Sequence, residues 1–217
     1  MAGQDIKDLA KIDPEFEAFL KTLPVVPQLR GDIPTLRKQL SEAKRKQQAA
    51  AGLVETPLDI KEEDITVTAR DGYLIPVRTY KPKDPPEGGS PLIVLYHGGG
   101  FCLGDLQNEE LNCRNFVKDL GAVCVNVDYR LAPEYKFPTA LNDSWDVLQW
   151  AARNASSLGA DTSQGFILFG TQPERAYPLF LAISLVTLPY HHLSQVSPHR
   201  SHSCSTFVIL QLSLGPT

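Results

Sequence analysis

The stretch P91-LIVLYHGGGFCLG-D105 decides how the rest of the chain is read. Leu92, Ile93, Val94, Leu95 and Tyr96 form an uninterrupted apolar run between the breaker Gly88-Gly89-Ser90-Pro91 and the glycines Gly98-Gly99-Gly100. A run of that length without alternation predicts a strand buried on both faces, as in a parallel sheet. Three consecutive glycines after such a strand let the backbone approach a ligand and turn its N–H groups toward one point. That is the construction of an oxyanion-binding loop, so His97, Gly98, Gly99 and Gly100 are the candidate oxyanion-hole residues; a glycine-rich turn into a helix is the plainer alternative.

Downstream, N108-EELNCRNFVKD-L120 is amphipathic, with Leu111, Phe116, Val117 and Leu120 expected inward and Gly121 closing the helix. Ala122 to Val127 is a second apolar strand. Strand, helix and strand within about 40 residues make a βαβ unit, whose strands are parallel. Ligands bind such sheets at the carboxyl ends of the strands, where His97 to Gly100 lie. After D128-YRLAP-E134 and Phe137-Pro138 comes a helix from Thr139 to Ala152, with Leu141, Trp145, Leu148 and Ala152 as its core stripe. Phe166 to Phe169 is the next buried strand. The alternation predicts an α/β fold with a doubly wound, mostly parallel sheet.

Upstream, Asp13-Pro14-Glu15 opens a helix carrying Phe16, Phe19 and Leu20, and Asp32-Ile33-Pro34-Thr35 opens a second through Leu36, Leu40 and Ala43 to Ala51, stopped by Gly52. Neither is apolar enough to fold alone, so both are expected to flank something later in the chain. From Leu58, Ile60, Ile65, Val67 and Ala69 lead to the turn signal Asp71-Gly72, and Leu74, Pro76, Arg78 and Tyr80 return: a hairpin.

The 217 residues carry 42% hydrophobic and 21% charged residues, a net charge of -4 and a pI near 5.7. No basic patch dominates, which argues against a nucleic-acid partner. The N-terminus has charges every few residues and no apolar core, unlike a secretory signal. Cys102, Cys113, Cys124 and Cys204 lack any paired spacing, so they read as buried or idle thiols of a cytoplasmic protein, with no disulfide framework. His191, His192, His199, His202 and Cys204 match no zinc spacing. No metal or cofactor is expected. Ala176 to Leu188 is apolar but too short for a transmembrane segment.

With YHGGGF, DYRLAPE, the following FP and the helix bearing Asp143 and Trp150, residues 1 to 171 resemble the hormone-sensitive-lipase-like branch of the α/β-hydrolase fold, a group of esterases and lipases. The resemblance implies a small acyl-ester substrate, an acyl-enzyme on serine, an oxyanion held by the Gly98 and Gly99 N–H groups within a loop shaped by His97 and Gly100, structural roles for Arg130 and Glu134, and a cap built from the N-terminal helices. Three segments follow: 1–52, the helical cap segment; 53–171, the N-terminal part of the hydrolase domain; and 172–217, a divergent, irregular, poorly ordered tail.

The family's nucleophile elbow, G-x-S-x-G, belongs right after Phe169. Here the chain reads Gly170-Thr171-Gln172-Pro173-Glu174-Arg175. Gln172 stands at the expected serine position, and an amide offers no nucleophilic hydroxyl. Pro173 has no N–H to complete the hole. Glu174 and Arg175 replace small residues. From Gln172 to Thr217 only Glu174, Arg175 and Arg200 are charged. We therefore expect an incomplete fold, truncated before the elbow by splicing or a gene-model error and without a catalytic triad, whose last strand leaves an open, aggregation-prone edge. Two functions remain: the N-terminal part of an ester hydrolase, inactive as it stands, or a non-catalytic pseudoenzyme or binding module that keeps the HGGG pocket.

Overall fold

The computed structural model describes residues 12–22, 31–53, 55–171, 193–200 and 206–212. Helix α1, Pro14–Thr22, belongs to a unit that ends at Gly31, and everything from Asp32 onward belongs to a second. α1 starts where its sequence predicts: Asp13 Oδ1 accepts the N–H groups of Glu15 (2.9 Å) and Phe16 (3.3 Å). The Phe16 and Phe19 rings stack one turn apart, 6.3 Å between centroids.

The second unit opens with α2, Ile33–Ala50, capped by Asp32 through the Thr35 N–H at 2.9 Å. Strands β1 (Ile60–Thr68) and β2 (Leu74–Pro82) form the antiparallel hairpin, turned at Ala69 to Gly72. β3 (Leu92–Tyr96), α3 (Glu110–Leu120) and β4 (Val123–Val127) make the parallel βαβ unit, and α4 (Thr139–Arg153) with the short α5 (Ala155–Leu158) leads to β5 (Phe166–Gly170). Two further strands, β6 (Leu193–Arg200) and β7 (Thr206–Leu212), follow. The sheet order is β1-β2-β4-β3-β5-β7-β6, with β4, β3 and β5 parallel to one another and the outer pairings antiparallel.

β3 is buried along its whole length because helices cover both of its faces. Leu92, Val94 and Tyr96 join Val147 and Ala151 of α4 in one core. Ile93 and Leu95 join Cys113 and Val117 of α3 in the other.

Four details differ from the sequence reading. On β2 the buried residues are Ile75, Val77, Thr79 and Tyr80, while Leu74 is exposed, because Ile75 lies opposite the buried Val67 of β1. On α3, Leu111 and Leu120 face solvent and Cys113, Arg114 and Val117 face inward. A guanidinium can take an inward position because it is fully partnered: Arg114 donates to Glu62 (2.7 Å), Glu110 (2.6 Å) and the Leu53 carbonyl (2.6 Å). On α4 the buried stripe is Ala140, Leu141, Asp143, Ser144, Val147 and Ala151, with Leu148 and Trp150 at its margin. Small residues bring that helix close enough for the Tyr96 hydroxyl to donate to the Ser144 carbonyl at 2.8 Å.

The fourth difference concerns the region read as irregular tail. β7 pairs antiparallel along β5, from Phe166 opposite Leu210 to Gly170 opposite Thr206, so the edge expected to stand open is covered. The apolar, β-branched run T206-FVILQ-L212 suits such a place. Residues 172–192, 201–205 and 213–217, with Gln172, His191, His192, His202 and Cys204, lie outside the described residues. Among the described residues, no helix is long and apolar enough to cross a membrane.

Candidate functional site

Three strands end level with one another. Tyr96 lies opposite Val127 of β4 on one side and opposite Gly170 of β5 on the other. His97, Asp128 and Thr171 therefore leave the carboxyl edge of the sheet side by side. The chain passes from β3 to β4 in one direction and then back across to β5, and a crevice opens where that direction reverses.

His97 is completely buried. Its ring stacks on Tyr129 with centroids 4.3 Å apart, and the Tyr129 hydroxyl donates to the His97 carbonyl at 2.6 Å. Nδ1 lies 2.9 Å from the Gly98 carbonyl. A carbonyl only accepts, so the proton sits on Nδ1. Burial holds the imidazole below its ordinary pKa, which keeps it neutral at pH 7. The Asp128 carboxylate, 4.0 Å from Nε2, is thus not facing a cation. Asp128 is itself pushed up to about 6, mainly by burial and then by the nearby Asp105 charge, with Arg37 opposing. The His97 ring is thus neutral, bonded within its own loop and stacked on Tyr129.

The loop after it needs its glycines. A Cβ on Gly98 would sit 2.5 Å from the Thr171 carbonyl oxygen, and one on Gly99, at φ +128°, would run into the Leu103 carbonyl. The turn is closed by the Cys102 and Leu103 N–H groups donating to the Gly99 carbonyl at 3.1 and 3.0 Å. Gly100 and Phe101 both take positive φ, near 60°. The Gly98 N–H donates to Thr171 Oγ1 at 2.8 Å, and that hydroxyl donates to Glu109 Oε1 at 2.7 Å. Glu109 is buried and takes a second bond from Asn112 Nδ2 at 2.7 Å. The N–H groups of Gly99, Gly100 and Phe101 meet no acceptor among the described residues.

Helix α2 forms the opposite wall. Between it and the loop lies a cleft of about 470 Å³, lined by Leu40, Lys44, Gly98, Gly99, Leu103 and Asp105 among others. No residue of α2 is buried; polar bonds hold it. Arg37 Nε donates to the Cys102 carbonyl (3.0 Å), Nη2 to the Ala132 carbonyl (2.8 Å) and Nη1 to Glu134 Oε1 (2.9 Å). The Ser41 hydroxyl donates to Asp105 at 2.6 Å. Lys44 is held below the ordinary lysine range by partial burial, with the carboxylates of Glu109, Asp105 and Glu110 acting in the other direction.

The candidate residues from His97 to Gly100 come together as one loop, and Thr171, the neighbour of Gln172, lies against it; Gln172 itself lies outside the described residues. Arg130 and Glu134 are not paired with each other. Arg130 is bound bidentately by Asp143 (2.9 and 2.6 Å), reaches Asp71 (2.8 Å) and lies over the Tyr73 ring, while Glu134 pairs with Arg37. Sequence reasoning missed Glu109, Thr171, Arg37 and Lys44. Glu109 sits in an acidic helix start that reads as solvated surface, and its inward partner is 62 residues away.

Known proteins resemble this chain over part of its length. Residues 93–171 match the α/β-hydrolase fold family. An AB hydrolase superfamily protein of Schizosaccharomyces pombe is 36% identical over 160 residues, 74% of this chain and 47% of that protein. The ethyl acetate hydrolase of Pseudomonas putida is 32% identical over 157 residues, 70% of this chain and 49% of its own length. A hyperthermophilic esterase from the archaeon Pyrobaculum calidifontis superposes with a TM-score of 0.60 at 37% identity, covering 73% of this chain and 49% of that one. The chain spans about half the length of the curated relatives it matches.

Proposed function

Because this chain belongs to the α/β-hydrolase fold family, whose similar members include ester hydrolases, we propose that its loop from His97 to Gly100 is the oxyanion cradle of a carboxylic-ester hydrolase and that these 217 residues, as they stand, turn no ester over. The observation that supports this reading is the glycine loop at the carboxyl edge of the sheet, whose Gly99, Gly100 and Phe101 N–H groups meet no acceptor among the described residues and whose Gly98 and Gly99 line a cleft. In the complete reaction a serine hydroxyl after β5 attacks the carbonyl, the charge moves to the carbonyl oxygen, and backbone N–H groups hold it while the alcohol leaves and an acyl-enzyme forms. Gly98 can join Gly99 in that task only when the Thr171 hydroxyl turns away from it.

The named substrate of the Pseudomonas relative supports a small acyl ester for the complete protein. Gln172 supplies no attacking oxygen and Pro173 no N–H, which supports an inactive chain. In this reading residues 1–52 are the cap segment, 53–171 the hydrolase part and 172–217 the divergent one. The second reading, a binding module built on the same loop, is favoured by the accessible cleft.

The test is to incubate pure protein with p-nitrophenyl acetate and butyrate and with a fluorophosphonate probe. The expected result is no turnover above buffer and no adduct, for the natural chain and for Gln172→Ser alone, since Pro173 remains. Turnover abolished by changing one particular serine, or an adduct mapped to a side chain, overturns the claim of inactivity.

A further inference from the structure

We propose that Cys113 and Cys124 are a site of reversible oxidative modification, a dithiol that closes to a disulfide and ties helix α3 to the central strand β4. Both residues are fully buried, in the core that α3 shares with Ile93 and Leu95 of β3. Their separation along the chain carries no local signal, yet the return of the chain from α3 into β4 brings them together. The Cys124 thiol donates to the Cys113 carbonyl at 3.7 Å, and the two thiols lie within hydrogen-bonding reach of each other. Cys102, Cys113 and Cys124 are all free thiols, and among the described residues no third cysteine lies in that core.

Drawing two touching sulfurs into a bond of about 2.05 Å takes a side-chain rotation and a small shift of one element. β4 is hydrogen-bonded between β2 and β3 and cannot supply the shift. α3 can, because it covers the sheet from outside and turns Leu111 and Leu120 to solvent.

Burial pushes the Cys113 thiol well up, so the closed structure offers an oxidant no thiolate there. The reaction waits on local opening of α3, which uncovers Cys113 while Cys124 stays on its strand. The Cys113 thiolate attacks hydrogen peroxide; the O–O bond breaks, leaving a sulfenic acid and a hydroxide that takes up the thiol's proton. Cys124 then attacks that sulfur, the S–S bond forms, the S–O bond breaks and water leaves. Two thiols give up two protons and two electrons, and one peroxide becomes two waters. Once linked, α3 cannot leave the sheet, which also fixes Glu109, the residue before its first turn and the partner of Thr171.

The test is to treat the full chain, carrying Cys102→Ser and Cys204→Ser, with hydrogen peroxide in buffer and in urea below the unfolding midpoint, and to follow intact mass and tryptic peptides. Trypsin cuts after Arg114 and Lys118, so the link appears as two joined peptides lighter than their sum by two hydrogens. The expected product is a monomer linked between Cys113 and Cys124, formed roughly threefold faster or more in urea because opening is the gate. It is expected to melt about 5 °C or more above the reduced chain, and dithiothreitol is expected to restore the lower melt. Free thiols persisting at both positions, links between molecules only, a rate indifferent to urea, or a linked chain that melts no higher than the reduced one overturns the proposal.

Discussion

The two walls of the cleft are held by different physics. The glycine loop grows from β3, whose alternate side chains are buried in two cores, under α4 on one face and α3 on the other. The facing helix α2 buries no residue at all and is attached by Arg37, Ser41 and a few weaker polar contacts. Apolar burial is non-directional and summed over many contacts, so the loop has a rigid base. Polar bonds exchange with water at little net cost, so the helix can detach while the sheet stays folded.

The largest effect that should separate the walls is Leu95→Ala. Leu95 is fully buried, and its truncation is expected to cost about 3 kcal/mol of global stability, read as a lower denaturant midpoint for the whole second unit. A change confined to α2 would contradict the rigid-base account. Next is Arg37→Ala, expected to cost about 2 kcal/mol locally and to remove hydrogen-exchange protection across Ile33–Ala50 while leaving β3 and β4 protected. Loss of protection in β3 as well would mean that helix and loop open together.

The smallest effect sharpens the comparison at the loop's own base. Asp128 has its folded pKa raised to about 6 from an ordinary 3.8. A carboxyl that prefers its proton in the folded state costs stability once it ionises: the cost is absent below pH 3.8, grows as pH rises and is complete above pH 6. A third of the side chain stays open to water, which screens the effect. Asp128→Asn is expected to raise the melting temperature by a few degrees at about pH 8 and by almost nothing near pH 4. An equal gain at both pH values would show that ionisation is not the cause.

Much of this arrangement was legible from residues alone, for particular reasons. A strand buried on both faces must be an unbroken apolar run, so Leu92 to Tyr96 announced itself, and the glycines after it could be placed at the carboxyl edge. Helix faces were harder. On α3 the apolar Leu111 and Leu120 look inward by type, yet they face solvent while Arg114, and Glu109 just before the helix, are inside. Charged groups are admitted to an interior by their partners, and those partners, Glu62 and Thr171, are 52 and 62 residues away. The pairing of β7 along β5 was equally hidden, since nothing local says which strand edge a short apolar run will find.

The amino-acid order by itself determined the local matters: where strands and helices begin, that a βαβ unit is present, that His97 is followed by three glycines, and that Gly170 is followed by Thr171, Gln172 and Pro173. These depend on periodicity, on residues with special backbone freedom and on the identity of single side chains. Only the tertiary structure decided that Thr171 holds the Gly98 N–H, that a buried Glu109 stands behind it, and that Lys44 and Arg37 face the loop from α2. Those are meetings between residues far apart in the chain, set by how the sheet brings its strand ends to one edge.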